Sequence, residues 1–262
     1  MRRTACALAL LSLSLGPAGS PASAERMRLE FERTILEYPA GALGASELEA
    51  FARLAEDGVA DVEALVSPGL PVWARRSGRI RFVVSDEVEI SRTWGRTVVL
   101  PIGRVRTRSA PYLHETVHAL VPARGDRTWL SEGLACYLES YVAENRRGYD
   151  AHVFTRAGDR GIHAAARRTL DSPAGKAVLP WVGAMGSPPN LEEDRAGVAR
   201  PFYVLSHSLA KHVVETAGLA AVVRSLVASD PRAFAEQTGH TDEVWRVLWL
   251  KALGARAPQA GP

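Results

Sequence analysis

The sequence predicts an α+β protein with a small, mainly antiparallel sheet followed by a mostly helical C-terminal half. Two short segments, 79–85 and 96–102, are rich in β-branched and aromatic residues, as strands are. From residue 111 onward the apolar residues recur with helical spacing instead. With 262 residues, 47% of them hydrophobic, the chain can bury a sizeable core, as one domain or as one domain with a helical extension.

The first 24 residues have the order of a secretory signal peptide. Residues 2–3 are both arginine, residues 5–15 are apolar, and A-S-A at 22–24 is a cleavage signal. The apolar run is too short to cross a bilayer, and no later segment approaches the ~20 apolar residues that a membrane helix needs. We therefore expect export to the periplasm or the extracellular space, with no membrane span after cleavage.

Charge and cysteine content narrow the possible functions. The chain has 32 basic and 29 acidic residues, and cleavage of the leader would reduce its net charge from +3 to +1. A balance so close to neutral gives no support for nucleic-acid binding. Cys136 would be the one cysteine remaining, so we expect no intramolecular disulfide and a buried thiol in an apolar helix.

Two helices are predicted ahead of the strands, at 27–38 and 45–66. The second has one apolar stripe, and Ser46 and Glu49 stand at the spacing of a capping box that would start it. The sequence S-P-G at 67–69 would end it. This part of the chain, 25–78, is expected to form an N-terminal helical segment.

The strand and helix patterns after residue 78 define the rest of the fold. Pro101 predicts that the strand at 96–102 lies at the edge of the sheet, because proline cannot donate to a central ladder. The segment 146–200 is rich in Gly, Pro and charge and has no clear pattern, and a flexible tail is expected at 255–262. Helices are predicted at 111–120, 130–145, 207–217, 219–228 and 242–253.

His114-Glu115-Thr116-Val117-His118 is an H-E-x-x-H motif. Residues at i and i+4 lie on one face of a helix, one turn apart, so both imidazoles can reach one metal ion. Glu115 is offset by one position, where it can act on a water molecule as general base.

A second segment, W-L-S-E-G-L-A-C-Y-L-E at 129–139, supplies the third ligand. A helix that folds back on the first would place Glu132 near its start, facing the two histidines. Two histidines and one carboxylate leave a fourth position open for water, which is the catalytic form of a zinc site. Glu139 is the rival ligand, seven residues further along the same face; otherwise it supports a ligand histidine or is solvated.

The pair H-E-T-V-H and W-L-S-E-G-L-A-C-Y resembles the gluzincin peptidases, especially the small peptidase MA-like bacterial proteins, and is similar to the zinc aminopeptidases. The resemblance implies a zincin-like, thermolysin-type catalytic domain over 79–254. It also implies that His114, His118 and Glu132 bind Zn²⁺ and that Glu115 is the general base.

Two features depart from the aminopeptidases. Thirteen residues separate His118 from Glu132, fewer than in those larger enzymes. The segment that binds a substrate's free amino end is also absent upstream, and Gly-Ala-Met-Gly at 183–186 lies on the wrong side of the motif and lacks the carboxylate. We therefore expect endopeptidase rather than aminopeptidase action.

The resemblance also implies a donor for the oxyanion of the reaction, from a tyrosine or histidine in the C-terminal helices. Tyr203 is the first candidate and His207 the second. In this fold the strand at 96–100 would line the cleft and pair with an extended substrate.

The predicted function is a secreted or periplasmic zinc metallopeptidase that acts on a peptide or protein substrate. The alternative is a non-catalytic scaffold or binding protein of the cell envelope that binds zinc but does not hydrolyse a substrate. A weaker alternative is a helical protein with an accidental motif, which would bind no zinc.

Overall fold

The computed structural model describes residues 25–75, 78–145, 158–189, 191 and 197–254. The predicted signal peptide at 1–24 and the predicted tail at 255–262 lie outside these residues. Across the described helices, none is both long enough and apolar enough to traverse a bilayer.

The described residues form an α+β fold in which one five-stranded sheet is accompanied by a larger number of helices. The strands are β1 (Arg26–Glu30), β2 (Thr34–Pro39), β3 (Ile80–Ser85), β4 (Arg92–Trp94) and β5 (Thr97–Pro101). The helices are α1 (Ala45–Val66), α2 (Val72–Arg75), α3 (Ile102–Arg106), α4 (Tyr112–Leu120), α5 (Thr128–Asn145), α6 (Gly158–Asp171), α7 (Pro173–Val178), α8 (Ala199–Ala217), α9 (Leu219–Val227), α10 (Ala233–Thr238) and α11 (Asp242–Ala252), with a 3-10 turn at Leu179–Trp181.

The sheet is mixed, and the prediction of a mainly antiparallel sheet is wrong. Its strand order is β1-β2-β3-β5-β4, with antiparallel pairs at the two ends and parallel pairs β2/β3 and β3/β5 in the middle. The long helix α1 connects β2 to β3, and such a crossover brings the chain back to start the next strand in the same direction.

The predicted helix at 27–38 is also wrong, because these residues form the hairpin β1–β2. Met27, Leu29 and Phe31 alternate with charged residues, which is the period of a strand. Since β2 pairs with β3, the sheet extends across the division that the sequence analysis places at residue 78.

Helix α1 agrees with its predicted bounds but has a different cap. It begins at Ala45, so Ser46 lies inside the first turn. Gly44, the N-cap residue of α1, instead donates its backbone N–H to Glu47 Oε2 at 2.9 Å. This contact is one half of a capping box, and it satisfies a backbone donor that the helix itself leaves unpaired.

The strand predicted at 96–102 is β5, but it is not the edge strand. The short strand β4, which was not predicted, pairs antiparallel with β5 and occupies that edge. The turn between them contains Gly95 at φ 58°, a left-handed conformation that glycine adopts without steric cost. Pro101 is the last residue of β5, so it interrupts no pairing in the middle of the ladder.

All five helices predicted from residue 111 onward are present, with two differences. Helix α8 begins at Ala199, eight residues before the predicted start at 207, and helix α10 was not predicted. The segment 146–200 contains α6 and α7 in its described part.

Helix α4 lies between the sheet and helix α5. It contacts β4 and β5 on the sheet side and packs on α1 and α5, while α5 packs extensively on α8. Phe51 of α1 makes edge-to-face contacts with Phe82 of β3 and Tyr112 of α4, at ring-centroid distances of 6.3 and 6.0 Å. These aromatic contacts fix α4 against the sheet, as such pairs stabilise cores beyond their buried area.

Candidate metal centre

Helix α4 brings the H-E-x-x-H motif into the interior. Every residue of this helix except His118 is buried, and the His114 side chain is only 3% exposed. The apolar residues Leu113 and Val117 are almost fully buried. A helix buried on nearly all sides has little freedom to rotate, so its packing fixes the directions of both imidazoles.

Helix α5 brings Glu132 to the same point because it approaches α8 very closely. A Cβ atom at Gly133 would lie 2.3 Å from the backbone oxygen of Ser206 and 2.9 Å from Ala210 Cβ. No side chain fits in that space, so only glycine permits this helix–helix distance. The glycine that follows Glu132 in W-L-S-E-G therefore has a packing function.

The three predicted ligands converge. His114 Nε2 lies 3.1 Å from both His118 Nε2 and Glu132 Oε2, and His118 Nε2 lies 3.5 Å from Glu132 Oε2. Among the described residues these three form the one group of His, Cys, Asp and Glu side chains placed to hold a metal ion. Glu139 is not a member, so the geometry favours Glu132 over its rival.

The donor set and its spacing fit a metal ion. Ligand atoms at about 2.0–2.1 Å from a tetrahedral ion are separated by about 3.4 Å, close to the three distances in this cluster. Two imidazoles and one carboxylate from this chain leave a coordination position for a further ligand.

The electrostatics of the cluster favour positive charge. Burial would raise the pKa of Glu132, but the charge of His118 and hydrogen bonds from both histidines hold it well below its ordinary value. Burial would lower the pKa of His118, yet the charge of Glu132 and, less strongly, that of Glu115 raise it overall. The negative charge of Glu132 that raises the pKa of His118 would also attract a metal cation.

Each histidine has a further partner at its other ring nitrogen, and both partners lie on α5. Ser131 Oγ is 3.3 Å from His118 Nδ1, and Cys136 Sγ is 3.7 Å from His114 Nδ1. Such contacts orient the rings of metal-binding histidines. Cys136 is 1% exposed, which confirms the predicted buried thiol. Burial, and then the charges of Glu139 and Glu132, raise its pKa well above the ordinary value.

Glu115 is held from the sheet side. The hydroxyl of Thr93, in β4, donates to Glu115 Oε2 at 2.6 Å and lies 3.2 Å from the backbone oxygen of the same residue. Sequence analysis did not identify Thr93. The available signal was the run R-T-W-G-R-T-V-V at 92–99, in which two strand-like halves flank a glycine as in a hairpin.

Glu139 is buried, at 3% exposure, which excludes the alternative of a solvated side chain. Burial raises its pKa well above the ordinary value, and the negative charge of Glu115 adds to the effect. Burial and the charge of Glu115 therefore favour the protonated form of this carboxyl group, which can donate a hydrogen bond.

The two candidates for oxyanion binding differ in exposure. Tyr203 is half-buried, and its ring lies edge-to-face against His114 at 6.1 Å. His207, one turn further along α8, is fully buried and packs near Tyr137 at 6.3 Å. Tyr203 thus borders the cluster of His114, His118 and Glu132 and is partly exposed to solvent, whereas His207 is not exposed.

The start of α5 is fixed to the far end of the chain. Arg127 Nε donates to both carboxylate oxygens of Asp242 at 3.0 Å, and Trp129 Nε1 donates to Asp242 Oδ1 at 3.0 Å. Asp242 is the first residue of α11, where a negative charge also interacts favourably with the helix dipole. This contact sets the position of the turn of α5 that carries Glu132.

Comparisons of the chain with protein-family models, with curated proteins and with solved structures each gave no match. Function is therefore inferred from the residues and their geometry.

Proposed function

We propose that this protein is a zinc-dependent metallopeptidase, with His114, His118 and Glu132 as the zinc ligands and Glu115 as the general base. The observation that carries the proposal is the convergence of three ligand atoms within 4.8 Å of one another, beside a carboxylate held from the sheet. If the H-E-x-x-H sequence were accidental, nothing would require Glu132 of a second helix to lie beside its two histidines.

Zinc is the metal that the donor set favours. Two imidazoles and one carboxylate, with a position left open, are the ligands of catalytic zinc, whereas structural zinc sites are closed by four protein ligands. When bound, zinc supplies Lewis acidity, which polarises a carbonyl group and acidifies a water molecule.

Glu115 performs the proton transfers in this proposal. Its carboxylate takes a proton from the attacking water and delivers it to the nitrogen of the leaving amine. With Oε2 engaged by Thr93, Oε1 is the carboxylate oxygen left to accept the proton of the reacting water in this proposal. A general base must be held within hydrogen-bond reach of the proton that it takes, and the contact with Thr93 serves that purpose.

Tyr203 is proposed as the donor that stabilises the oxyanion of the tetrahedral intermediate. Its partial exposure and its position beside His114 support this assignment, whereas His207 is fully buried. A preorganised donor at this position lowers the barrier because it interacts most strongly with charge that develops in the transition state.

The proposal extends to fold and location. The arrangement of a metal-ligand helix against a small sheet and a second ligand helix supports a zincin-like, thermolysin-type domain of the gluzincin kind. We propose export because residues 1–24 have the order of a signal peptide. We propose endopeptidase action because the sequence lacks the segment with which aminopeptidases bind a substrate's free amino end.

The test compares the wild type with Glu115→Gln, both loaded with zinc, on a mixed peptide library analysed by mass spectrometry. Glutamine preserves the shape of the side chain but cannot accept the proton, so we expect equal zinc content and a loss of cleavage of at least about 100-fold. If the wild type binds one zinc per chain but cleaves no more than Glu115→Gln, the protein is a scaffold and the peptidase proposal is wrong.

A further inference from the structure

We infer that Thr93 is a positioning residue for the general base: the edge strand β4 holds Glu115 in its reactive orientation through the Thr93 hydroxyl. This inference rests on the proposed function and assigns a role to a strand that carries no metal ligand.

The contact between the two side chains has the geometry of a strong hydrogen bond. At 2.6 Å, the distance from Thr93 Oγ1 to Glu115 Oε2 falls in the range of hydroxyl donors on ionised acceptors. Glutamate has three rotatable side-chain bonds, and a fixed donor on one oxygen selects one of the many orientations of the carboxylate. The other oxygen is then presented in a constant direction.

The hairpin determines where Thr93 points. In the register of β4 and β5, Thr93 pairs with Val98, which is fully buried, and its neighbours Arg92 and Trp94 point to solvent. Side chains alternate along a strand, so Thr93 projects toward α4 because its two neighbours project away. A shift of one residue would replace the hydroxyl with an exposed arginine or tryptophan.

Threonine suits this position for a second reason. Its β-branched side chain has restricted rotation about χ1, and β-branched residues are favoured in strands. The hydroxyl is therefore held in place by its backbone and does not have to be ordered when a substrate binds.

The test uses Thr93→Val, which keeps the shape but removes the donor, and Thr93→Ser, which restores the donor. Thr216→Val is the matched control, because Thr216 is exposed in the last turn of α8 and its hydroxyl bonds only to the backbone oxygen of His212 among the described contacts. For Thr93→Val we expect kcat to fall about 10- to 100-fold, since a hydrogen bond to a charged group is lost, while KM and zinc content stay near those of the wild type. We expect Thr93→Ser to recover most of the loss and Thr216→Val to match the wild type.

A binding measurement separates this inference from the peptidase proposal. Acetohydroxamate binds zinc and also donates a hydrogen bond to a carboxylate beside the metal, so its affinity for the zinc-loaded protein reports the position of Glu115 without any turnover. By calorimetry we expect the affinity to fall about 3- to 10-fold in Thr93→Val and to recover in Thr93→Ser.

The possible outcomes are distinct. Hydroxamate affinity that depends on Thr93, in a protein that cleaves no peptide, supports the positioning role and contradicts the peptidase proposal. Cleavage that depends on Glu115, with neither kcat nor hydroxamate affinity changed in Thr93→Val, supports the peptidase proposal and overturns the role of Thr93.

Discussion

The helix pair α4–α5 and the hairpin β4–β5 meet at the same site but hold their residues there by different means. The helices are locked by core packing, with His114 only 3% exposed and Gly133 closely apposed to α8. Strand β4 has three residues at the sheet edge, and its Trp94 is 58% exposed. Under the proposed function, metal affinity would be determined by the core, while the orientation of Glu115 as general base would be determined by a small surface element.

The largest expected loss of stability is for Gly133→Ala, in the helix pair α4–α5. The added Cβ would overlap the backbone of Ser206 at 2.3 Å, and backbone atoms cannot move aside as a flexible side chain can. We expect the free energy of unfolding to fall by about 2–3 kcal/mol in urea denaturation, with weaker zinc binding, because α5 must move away from α8.

Gly103→Ala is the matched control for that change. Gly103 lies in helix α3, and no atom comes within 4 Å of its potential Cβ. Alanine there should leave stability unchanged or raise it by up to ~1 kcal/mol. Equal stabilities of the two variants would contradict the close approach of α5 and α8.

A smaller loss is expected for Asp242→Asn. The change removes the charge from a partly buried carboxylate that accepts hydrogen bonds from Arg127 and Trp129 at the start of α5. We expect a decrease of about 1–2 kcal/mol in the free energy of unfolding. Asp230→Asn, in an exposed pair with Arg232, should produce no resolvable change, since such pairs contribute little.

In the hairpin β4–β5, Gly95→Ala tests whether the hairpin can be altered without changing the metal site on the helix pair α4–α5. Alanine at φ 58° is strained by about 1 kcal/mol, although no atom lies near its Cβ. We expect a stability loss of that size, unchanged zinc affinity and a lower kcat, because Thr93 is displaced while the metal ligands are not. A fall in zinc affinity that parallels the fall in kcat would show that the hairpin and the helices act as one unit.

Glu139→Gln should change the site geometry least, because glutamine has the shape of the neutral carboxyl group. The pKa of Glu139 is raised in the folded state by burial, so between its ordinary pKa and the raised one the folded protein retains a proton that the unfolded chain releases. Wild-type stability should therefore decline as the pH rises above about 4.5, and this contribution to the slope should be absent in the variant. Urea denaturation from pH 4 to pH 8 measures the difference, and identical slopes would contradict the raised pKa of Glu139.

The ligands and the hairpin also differ in how far the sequence predicts them. His114, Glu115 and His118 share one helix, so their relative positions follow from helical periodicity alone. Glu132 needed one tertiary assumption, that α5 folds back on α4, and the short connection between the two helices supports it. The position of the Thr93 side chain depends on the register of a three-residue strand. That register is set by a turn and by packing against β5, so local propensity does not predict it.

The errors in the predicted fold have the same origin. Residues 27–38 contain enough apolar positions for either a helix or a hairpin, and pairing with β3 decides in favour of strands. A proline such as Pro101 is equally compatible with the last residue of an inner strand and with a strand at the edge of the sheet. The mixed sheet follows from the path of the chain through α1, a property of the whole fold rather than of any segment.

Zinc titration with a competing chelator tests most directly whether His114, His118 and Glu132 form the metal site. The wild type and Glu139→Gln should each bind one zinc per chain with similar affinity, and Glu132→Gln should bind at least about 100-fold more weakly, because a ligand carboxylate is lost. A wild type that binds no zinc, or equal affinities of Glu132→Gln and the wild type, would contradict the proposed site.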